Sequence, residues 1–210
     1  MTINAFGARV ASVWEGLRPI TRKLIVGALK ARQSETKGNK KISSNATYDA
    51  RSDWELSRLL AALDERAAEK SVKDLTPEQA KELRQVAETC AAVLQEQTRS
   101  AEVFEQLIER AMRASDYARI DALGSILVER FAPGEICELL RQYNPVARAL
   151  AHEALTQLPV SSLVSLLNDP LDAEIARDAI ERQAFEFGVE EAREVLAMMD
   201  QEGIADETID

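Results

Sequence analysis

The residues able to act as nucleophiles or as acid–base catalysts are few. His152 is the only histidine, and a general base needs an oriented partner and a substrate-facing cleft, neither of which can be read around it. We therefore expect His152 to be a surface or boundary residue. Cys90 and Cys137 lie on predicted apolar helix faces and lack Cys-x-x-Cys spacing, so we expect buried packing thiols.

Adjacent carboxylates could in principle form acid–base pairs. Such pairs occur at Asp64-Glu65, Glu190-Glu191 and Asp206-Glu207, but a helical chain with 36 acidic residues produces them unavoidably. We interpret them as solvated faces and i,i+4 ion pairs. The sequence has no glycine-rich phosphate loop, no nucleophile elbow and no His–Glu zinc spacing. It therefore predicts a non-enzymatic protein without a metal or cofactor.

Charge is distributed unevenly along the 210 residues, whose net charge is −10. Residues 1–41 contain nine basic and two acidic residues, which gives +7 and leaves −17 for residues 42–210. A split of this kind is typical of an interaction segment attached to an acidic body. Because a body of −17 repels a phosphate backbone, nucleic acid is a disfavoured partner.

The composition predicts an all-α fold. Alanine and leucine together supply 55 residues, and no persistent alternating β pattern occurs. The chain has no apolar run of about 18 residues and no convincing secretory signal, so we expect a cytoplasmic protein. A hydrophobic content of 46% is enough for a sizeable core without disulfides.

Residues 4–32 form one amphipathic stripe, which Pro19 should kink or divide. Three roles stay open for this segment: a cap on the rest of the fold, a helix that docks in a partner's groove, or a helix that lies on an anionic membrane. The candidate docking residues combine apolar, aromatic and basic side chains: Phe6, Trp14, Leu17, Arg18, Arg22 and Lys23.

Polar residues and prolines punctuate the rest of the chain. Ser52 or Asp53 can cap a helix to about Lys70, and Thr76-Pro-Glu-Gln79 is a capping-box helix start. Residues 76–114 form either one helix or two. The prolines at 133, 145, 159 and 170 favour a series of short helices. The predicted segments are 116–131, 134–143, 145–157, 160–168, 172–187 and 189–201.

Three of these segments contain an Ala-Arg pair at a constant spacing. The arginines are Arg119, Arg148 and Arg177, each 29 residues after the one before, and apolar residues follow each at offsets of three and seven. The middle copy reads Asn144-Pro-Val-Ala-Arg148-x-x-Ala-x-x-Ala-Leu155. This pattern resembles that of HEAT-like helical repeats, with a match over about residues 115–200.

The resemblance implies an α-solenoid of stacked antiparallel helix pairs, an architecture that generally binds proteins. It also implies that the three arginines are structural repeat positions, which we expect to bond to adjacent inter-helix turns. An arginine row that grips an acidic ligand is the functional alternative, and an irregular helical bundle is the alternative fold. The expected organisation is a basic helical region at 1–32, a linker at 33–50, a HEAT-like domain at 51–202 and an acidic tail at 203–210.

These patterns favour a non-catalytic protein–protein interaction or scaffold module. A peripheral membrane adaptor that uses the N-terminal helix on anionic lipid is the alternative, and an uncharacterised helical enzyme is a weaker one. The sequence leaves the partner, the pathway and the oligomeric state open.

Overall fold

The computed structural model describes residues 3–34, 48–69 and 74–206, with the side chains of residues 33, 34 and 201–206 left undescribed. The described chain is all-helical and has no strand, which confirms the predicted all-α class. Within the described ranges, a 3-10 turn at Ile3–Phe6 precedes eleven α-helices. These are α1 Ala8–Gly16, α2 Pro19–Ser34, α3 Ala50–Ala68, α4 Pro77–Gln97, α5 Ala101–Arg113, α6 Tyr117–Arg130, α7 Pro133–Arg141, α8 Pro145–Gln157, α9 Val160–Val164, α10 Ala173–Phe185 and α11 Glu190–Asp206.

Local signals set most helix starts. Thr76 and Gln79 form the predicted capping box, with the Thr76 hydroxyl accepting from the Gln79 N–H and the Gln79 amide oxygen accepting from the Thr76 N–H. Pro19, Pro133 and Pro145 each occupy the first position of a helix, where no N–H is needed. The stripe of residues 4–32 is thus divided at Pro19.

The structure also resolves the ambiguity at 76–114. Two helices lie there, because α4 ends at Gln97 and α5 begins at Ala101. The predicted helix at 160–168 is shorter than expected, since α9 ends at Val164 and hydrogen-bonded turns follow.

The predicted cap of α3 is wrong. Neither Ser52 nor Asp53 caps this helix, and Asp49 does so by accepting a hydrogen bond from the Arg51 N–H at 3.0 Å. Ser52 and Asp53 lie inside the first turn and are buried. Most of the predicted linker at 33–50 lies outside the described residues, as do the last four residues of the predicted tail.

The chain divides into two compact units, Met1–Leu107 and Ile108–Asp210. In the first unit, α3 packs along α4, α1 packs on α3, and α2 contacts both α3 and α4. The core of this unit is formed by fully buried side chains from several helices, among them Phe6, Ile25, Leu56, Leu60, Leu63, Leu83, Leu94 and Phe104. The N-terminal helices therefore contribute directly to a hydrophobic core.

The second unit is built from α6 to α11. α8 lies between α6 and α10 and also packs against α7, while α10 packs against α9 and α11. The helices α6, α8 and α10 begin at Tyr117, Pro145 and Ala173, each 28 residues after the one before. At Gly124 of α6 an added Cβ would lie 3.1 Å from the Leu150 side chain of α8, so the small residue permits a close approach of the two helices.

Candidate interaction surfaces

The predicted docking residues of the N-terminal helices are partly internal. Phe6 and Leu17 are buried in the first unit, and Trp14 is half-buried. Arg22 is half-buried and donates from Nε to the Leu17 carbonyl at 3.0 Å, whereas Lys23 is exposed. Docking of this segment on a partner or an anionic membrane stays a prediction, and in this structure it would have to proceed without Phe6 and Leu17.

Arg18 anchors the start of α2 to the start of α3. Its Nη2 lies 2.7 Å from an Asp49 carboxylate oxygen and its Nε lies 2.8 Å from Oε1 of Glu55. Glu55 also accepts from the Arg18 backbone N–H at 3.2 Å and from the Thr21 hydroxyl. A carboxylate placed at the positive end of α2 stabilises that helix terminus.

This cluster shifts the acidity of its members. Burial of Glu55 disfavours its charged form, but the hydrogen bonds from Thr21 and Arg18 outweigh that effect and hold the Glu55 pKa below its ordinary value. The hydrogen bond from Arg18, followed by that from Ser52, lowers the pKa of Asp49. The arrangement is that of a satisfied structural ion pair, with both carboxylates engaged.

The described part of the first unit has a groove and a cleft on its surface. A groove of about 250 Å³ runs between α2 and α4, with an apolar floor and with Lys23, Glu96 and Gln97 at its rim. A cleft of about 100 Å³ lies between α1 and α3, where the Arg58 guanidinium stacks 4.7 Å from the ring centre of Trp54. Both are smaller than ordinary small-molecule pockets.

The three repeat arginines do not share one helical position. Arg119 is the third residue of α6, Arg148 the fourth of α8 and Arg177 the fifth of α10. The helices start 28 residues apart and the arginines 29, so the arginine moves by one position in each copy.

Burial shows which copies match. In α8 and α10 the residues immediately before the arginine and three after it are buried, namely Ala147 and Ala151, and Ala176 and Ile180. In α6 the corresponding Ala118 and Ala122 are exposed, and the buried residues are Ile120, Leu123 and Leu127. Arg148 and Arg177 are thus equivalent in burial register, and Arg119 is not.

The polar contacts of the three arginines differ from one helix to the next. Arg119 pairs with the Asp116 cap of its own helix, and Arg177 pairs with Glu181 of α10 and Asp200 of α11. Arg148 is exposed and makes no hydrogen bond or ion pair with the described part of the chain. The three arginines therefore do not form a row with shared contacts that could hold one ligand.

Gln183 provides the contact between neighbouring helices that the arginines were expected to make. This buried side chain of α10 donates from Nε2 to the carbonyls of Leu155, Thr156 and Leu158 at the end of α8, at 2.8–3.4 Å. The Leu155 carbonyl also accepts from the Leu158 N–H at 3.2 Å, so Gln183 adds to the hydrogen bonds made by carbonyls at the end of this helix. Sequence reasoning missed Gln183, and the available signal was a polar residue within an otherwise apolar helix face.

A second contact joins α7 to the turn before α10. Arg141 forms an ion pair with the buried Asp172 and also bonds to Glu138. The hydrogen bond to Asp172 raises the pKa of Arg141.

Large apolar residues are exposed at the starts of α6, α8 and α10 in the second unit. Tyr143 and Leu171 each precede an N-cap residue and are 99% and 73% exposed, while Tyr117, the first residue of α6, is 73% exposed. An apolar residue before an N-cap ordinarily packs on the first turns of its helix. Here the side chains project into solvent, and no sequence pattern predicted that exposure.

The histidine and the two cysteines differ in exposure. His152 is exposed on α8, and Cys90 and Cys137 are buried. Burial, with the charge of Asp172, raises the pKa of Cys137 to about 12. Among the described residues no cluster of histidine, cysteine and carboxylate side chains could hold a metal ion, and no described helix has the length and apolarity to cross a membrane.

Comparisons of the chain with family models, with curated proteins and with solved structures give no match.

Proposed function

We propose that this chain is a non-catalytic protein–protein interaction module, in which the second unit is a short HEAT-like stack that presents a binding edge to another protein. Support for the stack comes from the equal spacing of α6, α8 and α10 and from their packing in that order. In a solenoid, each helix pair buries its apolar face against its neighbours, which leaves the inter-helix turns free to contact partners.

The observation that carries this proposal is the row of apolar residues on those turns. Tyr143 and Leu171 occupy the same place, directly before the N-caps of α8 and α10, and Tyr117 is the first residue of α6; none of the three packs into the unit. Exposed tyrosine and leucine at neighbouring points are typical of protein-binding surfaces, because aromatic anchors dominate interface energies.

The test replaces all three residues with serine in the full chain. The variant should keep its circular dichroism spectrum and melting temperature, because the changed side chains are exposed. Its co-isolated partner from the source cell should be lost, and excess untagged wild-type protein should compete that partner away from the tagged wild type. A matched control replaces three exposed residues elsewhere on the second unit: Glu129→Gln, Gln157→Ser and Ser161→Ala.

The control should retain the partner. Equal recovery with the wild type, the serine variant and the control would contradict the proposed binding edge.

A further inference from the structure

A tryptophan and an arginine lie together on the surface of the first unit. Trp54 of α3 is 52% exposed, and the guanidinium of Arg58, one helical turn further on, stacks 4.7 Å from the centre of its ring. Tryptophan is highly buried on average in folded proteins, because its ring carries a large apolar area. Here about half of the residue faces solvent, which leaves apolar area that a partner can cover.

Arg58 has no carboxylate partner in the described part of the chain. The other arginines at this place are engaged, since Arg18 pairs with Asp49 and Glu55, and Arg51 lies 3.5 Å from Glu55. Stacking on an indole holds the plane of a guanidinium and leaves the N–H donors in that plane able to bind a carboxylate. Arg58 can therefore receive a carboxylate from a partner protein.

The cleft between α1 and α3 lies beside this pair. Trp54 and Arg58 line it together with residues of the α1 end, namely Val13, Gly16 and Leu17. Its volume of about 100 Å³ has room for one apolar side chain and is below the range of pockets that enclose a whole small molecule. A Cβ added to Gly16 would meet nothing within 4 Å beyond its own helix backbone and chain neighbours, so the cleft is open at this point.

One carboxylate, that of Glu55, forms part of the cleft wall. Both of its oxygens are engaged, one by the side chains of Arg18 and Arg51 and the other by the Arg18 N–H and the Thr21 hydroxyl. Because these arginines compensate its charge, Glu55 does not exclude an acidic segment from the cleft.

We infer that Trp54, Arg58 and this cleft bind a segment of a partner protein that presents a carboxylate beside a bulky apolar side chain. The carboxylate pairs with Arg58, and the apolar side chain enters the cleft against Trp54 and Val13. Tryptophan and arginine are enriched among the residues that dominate binding energy, and here the two are adjacent and border a concave surface. These residues belong to the first unit, so this contact surface is separate from the proposed edge of the second unit.

The test uses a fluorescently labelled short synthetic peptide of alternating glutamate and leucine. One matched peptide has lysine in place of glutamate, and another has serine in place of leucine. Fluorescence anisotropy with the full chain should show binding of the glutamate–leucine peptide and about tenfold or more weaker binding of each matched peptide, because each lacks one of the two contacts. Equal binding of all three peptides would overturn the inference.

Variants of the chain locate the contact. Arg58→Gln and Trp54→Ser should each weaken binding of the glutamate–leucine peptide about tenfold or more. Arg58→Lys should retain only part of the affinity, since lysine keeps the charge and loses the planar fork. Gly16→Leu should weaken binding by filling the cleft without lowering the melting temperature, because the position has space and leucine favours helix over glycine. Unchanged affinity in Arg58→Gln and Trp54→Ser would overturn the inference.

Arg99→Gln is the matched control. Arg99 is also an exposed arginine of the first unit that stacks on an aromatic ring, 5.3 Å from the ring centre of Tyr48, but it does not line the cleft. This variant should bind the peptide as the wild type does. A loss of affinity equal to that of Arg58→Gln would show general attraction to positive charge and would contradict the inference.

Tryptophan fluorescence reports contact at the cleft directly. The chain has two tryptophans, and Trp14→Phe leaves Trp54 as the only one. Saturation with the unlabelled glutamate–leucine peptide should shift the Trp54 emission to shorter wavelength and reduce its quenching by acrylamide, because the peptide covers an exposed indole. The same reduction in quenching should occur in the wild type and not in Trp54→Phe. Unchanged emission and quenching at saturation would place the peptide elsewhere and overturn the inference.

Sedimentation with vesicles of anionic phospholipid decides between a protein partner and a lipid surface. The inference expects the full chain to stay in the supernatant. Sedimentation that Trp54→Ser and Arg58→Gln abolish would overturn it in favour of a membrane contact. None of these experiments changes Tyr117, Tyr143 or Leu171, so this inference and the proposed function fail separately.

Discussion

Glu55 on α3 accepts a hydrogen bond from the backbone N–H of Arg18, 3.2 Å away, and forms an ion pair with the side chain of the same residue. One carboxylate thus holds both the main chain and the side chain of the residue that precedes α2. Since Glu55 is buried, this relationship makes the basic N-terminal segment part of the first unit's structure.

Glu55→Gln should lower the free energy of unfolding by about 2 kcal/mol at neutral pH, because a charged acceptor of buried hydrogen bonds is lost. The folded pKa of Glu55 is below its unfolded value of about 4.3. Its contribution is therefore fully present above that pH and is lost as the pH falls through the folded pKa. Urea unfolding over a pH series should show a shallower acid dependence in the variant.

The control for that experiment is Glu65→Gln, which removes a carboxylate from an exposed ion pair with Arg9. Its effect should stay within about 0.5 kcal/mol. Parallel pH profiles for the wild type and Glu55→Gln would show that the Glu55 cluster does not hold α2 in solution.

Phe6 and Ile20 provide a matched test of how the N-terminal region is packed. Phe6 is fully buried and Ile20 is 63% exposed, although both belong to the same sequence stripe. Phe6→Ala should cost about 3–5 kcal/mol of stability, and Ile20→Ala less than about 0.5 kcal/mol. Similar small losses in both, measured by chemical denaturation, would mean that the segment is not part of the core.

Gln183→Met keeps the side-chain volume but removes the donor to three carbonyls. We expect a loss of about 1–3 kcal/mol, because the carbonyls of Thr156 and Leu158 lose this donor and the carbonyl of Leu155 keeps only the Leu158 N–H. Gln157→Met, at an exposed position on α8, should change stability by less than about 0.5 kcal/mol. If the two variants have the same melting temperature, Gln183 does not couple α10 to α8.

The thiols should be inert in the folded protein. Burial raises the pKa of Cys137 to about 12, so at pH 8 it is overwhelmingly the unreactive thiol, and Cys90 is also buried. An aromatic disulfide reagent should react with both cysteines only after unfolding in urea, and Cys90→Ala isolates Cys137. Rapid reaction of the native Cys90→Ala variant would contradict this description of the Cys137 environment.

The sequence predicted the features that depend on neighbouring residues. The Thr76 capping box and the starts of α7 and α8 at or next to proline rest on local backbone chemistry, and α8 matches its predicted bounds. The Asp49 cap was missed because Arg18, which directly precedes α2 and is distant in sequence, helps to place that carboxylate.

The buried face of a helix and the exposure of a side chain depend on the neighbouring helices, so the sequence alone did not predict them. An alanine-rich helix fits several registers, so the 29-residue arginine spacing did not reveal that α6 buries a different face from α8 and α10. Exposure of Tyr143 depends on what lies around the turn, which a sequence does not state. The net charge of each part also depends on where the chain is divided. The two structural units carry +2 and −12, whereas division after residue 41 gives +7 and −17.

The most direct test of the proposed function is photocrosslinking from position 143 in the source cell. A photoreactive phenylalanine analogue in place of Tyr143 should yield one discrete adduct with another protein, because this side chain is 99% exposed on the proposed binding edge. The same analogue at the exposed Ser161, beyond the opposite end of α8, should yield none. No adduct from position 143, or the same adducts from both positions, would contradict the proposal that this edge binds a partner.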